Sequence, residues 1–144
     1  PAIDSRWIGI RGRPTLKNGH ACRVSKGGTL GDLIMSTSSP DFYTADEQPV
    51  LDMLRATTGW RVYGGAALSY GLLAEGGTGL ALDAGLKLYD FAPFRPIIEG
   101  AGGIITDWDG EPITLATGSR ILAAADERIH AQVIDMIGNV EIHA

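Results

Sequence analysis

Two short segments of this sequence combine residue types that could do chemistry. The first covers residues 61–67 (RVYGGAA), where glycines precede a predicted helix. The first turn of a helix leaves backbone N–H groups unpaired at the positive end of the helix dipole. Gly64, Gly65 and Ala66 have little side chain to keep a ligand from that backbone. The segment could therefore bind an anion or a ligand hydroxyl, although tight helix packing alone would explain the same residues.

The second segment covers residues 83–90 (DAGLKLYD) and contains two carboxylates. A predicted strand contains Asp83 near its end, and after a turn Asp90 falls where a helix begins. A carboxylate at that position could simply cap the helix, but carboxylate oxygens are also the ligands that Mg²⁺ prefers. Because one aspartate cannot hold Mg²⁺ alone, a metal site here requires further carboxylates from elsewhere.

The order of these segments resembles a known signature. Residues 89–92 (YDFA) and 97–103 (IIEGAGG) are similar to the W-D-x-A-A…E-A-G-G signature of the inositol monophosphatase superfamily, and residues 61–66 lie upstream at the expected spacing. The stretches AGLKLYD and IIEGAGG are most similar to the histidinol-phosphate phosphatase branch. The resemblance extends from about residue 5 to residue 137.

The resemblance implies a reaction and a role for each of these residues. Asp90 matches the family's metal-binding aspartate, and Asp83 matches the acidic position that contacts the hydroxyl or amine side of the substrate. The backbone that lines the substrate pocket is matched by Gly64, Gly65 and Ala66. The implied reaction is hydrolysis of a small phosphate monoester, such as histidinol phosphate or an inositol or sugar phosphate, by a water activated by Mg²⁺.

The departures from the family pattern concern the metal site. The family's metal-binding glutamate and its D-P-[IL]-D-G-[ST] segment, which supply most metal ligands, do not occur in these 144 residues. We therefore expect the carboxyl-terminal half of a longer phosphatase, inactive or weakly active alone, whose partners are its missing amino-terminal half and a second copy in a homodimer. The open alternative is a non-catalytic binding or structural module that keeps the phosphatase fold.

Two further departures concern the substrate pocket. Where histidinol-phosphate phosphatases usually carry an acidic residue, this sequence has Ala66 followed by Ala67, which is closer to the inositol-type pattern. Pro93 and Phe94 replace the small or aliphatic residues that usually follow the signature aspartate. The sequence therefore leaves the exact substrate open.

Composition excludes several classes of function. A formal net charge of −5 and a pI of about 5.0 argue against a nucleic-acid-binding surface, which needs clustered Lys and Arg. No stretch approaches the roughly 20 apolar residues that cross a bilayer, and no basic segment followed by an apolar run opens the sequence. The single cysteine, Cys22, cannot form an internal disulfide. We therefore expect a cytoplasmic protein without membrane partners.

Periodicity and turn signals predict the elements that position these residues. Residues 5–25 predict an antiparallel meander with a tight turn at Asn18 and Gly19. The predicted helices cover 44–57, 64–76, 90–101 and 127–137, and the predicted strands cover 31–36, 60–62, 79–84, 104–106 and 120–125. The alternation predicts a layered α/β sandwich, the carboxyl-terminal part of the inositol monophosphatase and fructose-1,6-bisphosphatase-like fold, as one subdomain over 1–144.

Prolines and caps refine two of these helices. Asp46 is the predicted cap of the first helix, because Pro49 is tolerated only in the first turn. In the helix over 90–101, Pro93 falls in the first turn, and Pro96 is predicted to kink the helix or distort its second turn.

Overall fold

A computed structural model describes residues 3–140 of the chain. The chain begins with a three-stranded antiparallel meander, whose strands are β1 (Trp7–Ile8), β2 (Leu16–Lys17) and β3 (His20–Ala21). Asn18 and Gly19, which join β2 to β3, have φ values of 49° and 86°. Two consecutive positive φ angles are the requirement of a tight hairpin turn, so the predicted meander and turn are confirmed.

A five-stranded sheet with the order β5-β4-β6-β8-β7 forms the centre of the molecule. Its strands are β4 (Ile34–Thr37), β5 (Trp60–Tyr63), β6 (Leu80–Asp83), β7 (Ile104–Thr106) and β8 (Ile121–Ala124). Strand β4 pairs in parallel with both β5 and β6, whereas β8 runs antiparallel to β6 and β7. The carboxyl ends of β4, β5 and β6 therefore lie next to one another at the same end of the sheet.

Helices cover both faces of this sheet. They are α1 (Gln48–Thr57), α2 (Ala67–Ala74), α3 (Leu88–Phe91), α4 (Phe94–Gly100) and α5 (Glu127–Gly138). One apolar core lies between the sheet and helices α1 and α5, and a second lies between the sheet and helices α2, α3 and α4. The predicted layered α/β sandwich is confirmed.

Residue size on β6 matches these two cores. All four of its residues are buried, and the side chains alternate between the two faces. Leu80 and Leu82 enter the core under α1 and α5, whereas the small Ala81 enters the core under α2 and α4. Larger and smaller apolar side chains therefore alternate along residues 80–82. Apolar and polar side chains do not alternate there, because both faces of the strand are buried.

The meander packs on the second helical layer through glycines. A Cβ on Gly71 of α2 would lie 2.8 Å from the Trp7 ring, and one on Gly9 would lie 2.4 Å from the backbone nitrogen of Ile97. These approaches are shorter than real Cβ contacts, so only glycine lets the meander lie this close to α2 and α4.

The predicted cap of the first helix is wrong. Asp46 is exposed and lies in the turn before α1, and it is Glu47 that organises this end. The Glu47 carboxylate accepts a hydrogen bond from the Thr44 N–H (2.9 Å) and one from Arg120 Nε (2.6 Å). Glu47 therefore occupies the position before α1 that the sequence assigned to its neighbour, but its buried side chain bonds Thr44 and Arg120 and caps no N–H of the helix. Pro49 does fall in the first turn.

The predicted helix over 90–101 is two helices. Helix α3 ends at Phe91, and α4 begins at Phe94. Pro93 has no N–H with which to continue α3, so the chain breaks there and starts again. Pro96 then falls within the first turn of α4, where its missing N–H has no intrahelical partner to lose, and it causes no kink.

None of the helices within residues 3–140 has the length and apolar character that crossing a bilayer demands.

Candidate active site at the carboxyl ends of the parallel strands

A cavity of about 540 Å³ opens beside the carboxyl ends of the three parallel strands. In open α/β sheets, ligands bind outside the carboxyl ends of the strands, because the loops that leave the strands diverge there. Its walls come from the loop after β4, the start of α2, the end of β6 and the segment around α3. The residues that the chemistry concerns are Ser38, Ala66, Tyr70, Asp83, Tyr89 and Asp90.

The glycine segment that opens α2 has a tightly specified backbone. The Gly64 N–H donates to the Ser38 carbonyl (2.7 Å), and Gly64 has a φ of 80°. A Cβ on Gly65 would lie 2.1 Å from Ser69 Oγ. That oxygen is buried and makes no hydrogen bond within residues 3–140. The backbone therefore favours glycine at position 64, a larger residue at position 65 would displace the Ser69 hydroxyl, and the segment keeps an unused polar atom beside the turn.

Ala66 carries the strain in this segment. Its φ of 44° and ψ of −129° lie outside the regions that residues with a Cβ normally adopt. Such a conformation costs on the order of 1–3 kcal/mol and persists only where the surroundings enforce it. Ala66 lines the cavity at the start of α2, where the Leu68 and Ser69 N–H groups donate to the Gly65 and Ala66 carbonyls (2.9 and 3.0 Å), and those of Ala66 and Ala67 donate to no residue between 3 and 140. The strained turn thus presents free donors beside the cavity.

Asp83 ties three elements together below the cavity. One carboxylate oxygen accepts hydrogen bonds from Thr37 Oγ1 (3.1 Å) and the Ser38 N–H (2.7 Å), and the other accepts from the Tyr70 hydroxyl (2.9 Å). Burial raises the pKa of this carboxyl, while the surrounding donors favour its ionised form. Asp83 thereby joins the ends of β4 and β6 to helix α2.

Asp90 lies half-buried in the first turn of α3. One of its oxygens accepts a hydrogen bond from the Lys87 N–H (2.8 Å). Because α3 begins at Leu88, Asp90 caps the helix from its third position and not from the first position that the sequence predicted. The same residue also lines the cavity. Its second oxygen accepts no hydrogen bond from any residue between 3 and 140, so capping uses only half of this carboxylate.

The described residues do not form a magnesium site by themselves. Within residues 3–140, no three His, Cys, Asp or Glu side chains come together in a way that could hold a metal ion. Both oxygens of Asp83 are engaged by donors, so Asp90 is the carboxylate with an oxygen left for an ion. A hard cation with octahedral coordination needs more oxygen ligands than this.

The structure gathers three of the five residues that the sequence singled out. Ala66, Asp83 and Asp90 line one cavity, although they are separated by up to 24 positions in the chain. Gly64 and Gly65 lie in the turn that leads from β5 to α2 and do not line the cavity. Their roles, and those of the three lining residues, stay predictions.

Sequence reasoning missed the residues that build the rest of the cavity. The Tyr70 ring stacks on Phe94 with centroids 3.9 Å apart, and Ser38 supplies an N–H to the buried carboxylate. The signal for Ser38 was available, because Thr37 and Ser38 are polar residues directly after a buried apolar run. Tyr70 had no such signal, since it sits in an apolar helix where an aromatic side chain suits the core equally well.

The cavity thus combines a buried carboxylate, a half-engaged aspartate and a helix opened by glycines. The model of the inositol monophosphatase family matches residues 1–140, and the chain belongs to this family.

Relatives and solved structures agree with this assignment. The chain is 34% identical over 144 residues to the chloroplastic bifunctional phosphatase IMPL2 of Arabidopsis thaliana, covering 95% of this chain and 42% of the relative. It is 31% identical to the histidinol-phosphatase of Streptomyces coelicolor, covering 93% and 52%. An inositol monophosphatase structure from Zymomonas mobilis superposes with a TM-score of 0.90 at 31% identity, covering 93% and 53%. The chain thus spans about half the length of the proteins that it matches.

Proposed function

We propose that this chain supplies the substrate-pocket half of a magnesium-dependent phosphate monoester hydrolase. The observation that carries the proposal is the convergence of Ala66, Asp83 and Asp90 on one cavity of about 540 Å³. Free N–H donors at the start of α2 suit the oxygens of a phosphate ester or a hydroxyl-bearing substrate. Membership of the inositol monophosphatase family supports the same reaction class.

Asp90 is the residue that we propose holds Mg²⁺. Its unused oxygen makes it suited to ligation, while its bonded oxygen fixes the side chain through the Lys87 N–H. The remaining ligands would come from polypeptide outside these 144 residues, because the described part of the chain lacks a metal-binding cluster. A bound Mg²⁺ would neutralise charge on the phosphate and make a water more acidic.

The substrate class that we propose comprises histidinol phosphate and inositol or sugar phosphates. The names of the relatives include both a histidinol-phosphatase and an inositol monophosphatase. Three donors fix the orientation of the Asp83 carboxylate. It would therefore contact a substrate from this fixed position, through the side that lines the cavity. We propose a homodimer in the cytoplasm as the working form, on the basis of the exposed edge strand β5 and the unpaired thiol of Cys22.

The first test measures phosphate release with Mg²⁺ from histidinol phosphate, inositol phosphates and sugar bisphosphates. We expect no appreciable turnover by the 144-residue chain. We expect metal-dependent turnover by a polypeptide that joins these 144 residues to a segment supplying the remaining metal ligands. Robust turnover by the 144 residues alone would refute the need for outside ligands. Absence of turnover in both proteins would support the non-catalytic module.

The second test replaces Asp90 by Asn in the active polypeptide. Asn can still accept the Lys87 N–H, so the fold should be kept while the carboxylate charge is lost. We expect turnover to fall by more than about 100-fold, beyond the effect of losing a residue that only supports a metal ligand. The matched control is Asp109→Asn, which changes an exposed carboxylate in the turn after β7. If Asp90→Asn keeps its activity, Asp90 is a helix cap and nothing more.

A further inference from the structure

A second cavity, of about 430 Å³, lies where the meander meets the carboxyl end of α4. It shares no lining residue with the candidate active site. Three arginines line it: Arg11 and Arg13 from the turn after β1, and Arg23 from the segment after β3. Cys22 and Glu99 also lie in its walls.

These three arginines have no carboxylate partner, in contrast to the arginines that form ion pairs elsewhere in the described residues. Within residues 3–140, Arg11, Arg13 and Arg23 form no ion pair and donate no side-chain hydrogen bond. The one carboxylate in the cavity wall, Glu99, is already bound by Arg95 at 2.8 Å. The whole chain has a net charge of −5, whereas three unpaired cations surround this cavity. The charge around the cavity is therefore opposite in sign to that of the chain.

The arginines are not needed to complete the end of helix α4. Its last carbonyls already accept hydrogen bonds from the meander: Thr15 Oγ1 bonds the Ile97 carbonyl (2.6 Å) and the Thr15 N–H bonds the Gly100 carbonyl (3.0 Å). The Val24 N–H bonds the Ala101 carbonyl (3.1 Å) in the same way. The guanidinium groups therefore keep their donors, and the backbone beneath them is fixed by these hydrogen bonds.

We propose that this cavity binds a small anion that carries two linked phosphate groups, of the pyrophosphate or bisphosphate class. A guanidinium group offers parallel N–H donors that match two oxygens of one phosphate, and three such groups match a ligand with more than one phosphate. The volume suits a compact ligand. This site is separate from the proposed hydrolytic pocket and does not depend on the reaction proposed for it.

The test titrates the 144-residue chain with pyrophosphate in the absence of divalent metal ions. Binding is followed by calorimetry and, independently, by the rate at which a thiol reagent modifies Cys22, the only cysteine in the sequence. We expect saturable binding below millimolar concentration and slower modification of Cys22 in the complex, because the ligand covers the thiol and its charge disfavours the thiolate.

Three variants make the test specific. We expect Arg13→Gln and Arg23→Gln each to weaken binding by about tenfold, the effect of losing one charge-assisted hydrogen-bonding group. Arg6→Gln, an exposed arginine of the meander outside this cavity, should leave the affinity unchanged. All three side chains are exposed, so the melting temperature should not move and lost binding would not reflect unfolding.

Three results would overturn the proposal. One is the absence of saturable binding at millimolar pyrophosphate. Another is equal binding by the wild type and the Arg13→Gln and Arg23→Gln variants. The third is tighter binding of a single-stranded oligonucleotide than of pyrophosphate, because the arginines would then belong to a nucleic-acid surface.

Discussion

At the scale of single residues, two aspartates seven positions apart serve in different ways. Asp83 is 1% exposed and its two oxygens accept three hydrogen bonds, which stabilise the junction of β4, β6 and α2. Asp90 uses one oxygen to cap α3 and retains the other. The carboxylate suited to a metal ion is thus the one that local structure has only half engaged.

The Tyr70 hydroxyl provides a stability test of the Asp83 junction. Tyr70→Phe removes one of its three donors and leaves the carboxylate buried, which should cost about 1–2 kcal/mol in the free energy of unfolding. The matched control is Tyr89→Phe, whose side chain lines the same cavity but is 79% exposed, and it should change stability by less than about 0.5 kcal/mol. Urea denaturation measures both variants, and equal effects would contradict the role given to Asp83.

His130 makes stability depend on pH. It is buried in α5, its Nε2 lies 2.8 Å from Thr106 Oγ1, and burial lowers its pKa. The ring is neutral in both states above its ordinary pKa of about 6.5. Below that value the unfolded chain takes up a proton that the folded chain resists, so stability should fall as the pH decreases.

The variant His130→Gln should flatten this pH dependence, because a glutamine amide can still donate to Thr106 and does not titrate. Urea midpoints measured between pH 5 and pH 8 would show the change in slope. The part of the slope that His130 causes corresponds to the uptake of at most about one proton on unfolding. Identical slopes for wild type and His130→Gln would contradict this account.

At the scale of elements, glycine contacts fix how the meander lies on α4. Gly9 meets the backbone of Pro96 and Ile97, and Gly100 meets Thr15 Oγ1 and the Arg13 carbonyl, all at distances that no Cβ could share. Backbone atoms cannot move aside as a flexible side chain can. The meander is therefore held by close backbone packing as well as by its hydrogen bonds to α4.

A methyl group at position 9 should separate these elements. Gly9→Ala places its Cβ 2.4 Å from the Ile97 nitrogen, and overpacking of this kind costs about 1–3 kcal/mol. Gly118→Ala is the control, since nothing lies within 4 Å of its Cβ position, and it should stay within about 0.5 kcal/mol of wild type. Thermal unfolding distinguishes the two, and a neutral Gly9→Ala would show that the meander can shift freely.

Element prediction from the sequence succeeded where one local signal dominated. The hairpin at Asn18 and Gly19 and the helix over 127–137 follow from turn chemistry and apolar period, and both are present. The predicted cap of α1 was wrong because Arg120, which fixes the side chain of Glu47, lies 73 positions away and gives no local signal. The family resemblance singled out Asp83 and Asp90, which line one cavity and whose roles stay predictions. It did not single out Tyr70, whose position depends on the packing of α2 against β6.

At the scale of the whole molecule, one edge of the central sheet is open. All four residues of β5 are exposed, including Trp60 at 73%, Val62 and Tyr63, and only β4 pairs with this strand within residues 3–140. An exposed edge with apolar side chains is a template for pairing with another strand. The partner that we expect is β5 of a second copy, which would make a continuous sheet across a twofold axis.

A lysine on this edge should prevent such pairing. Val62→Lys places a charge on the open strand without entering either core, so folding should persist while self-association is lost. Sedimentation velocity over a range of concentrations measures this, with Leu115→Lys, another exposed apolar position, as the control. A wild-type chain that stays monomeric at all concentrations would contradict the role given to β5.

The Asp83 junction also constrains which walls of the cavity can be changed without loss of the fold. Its floor is part of the folding core, because removing the carboxylate would leave Tyr70 and Ser38 without their acceptor. Phe42 and Tyr89, in contrast, are exposed at the rim and bear little of the stability. A mutational library that aims to alter what the cavity binds should keep the floor residues constant and vary the rim residues, where substitutions carry the least risk of misfolding.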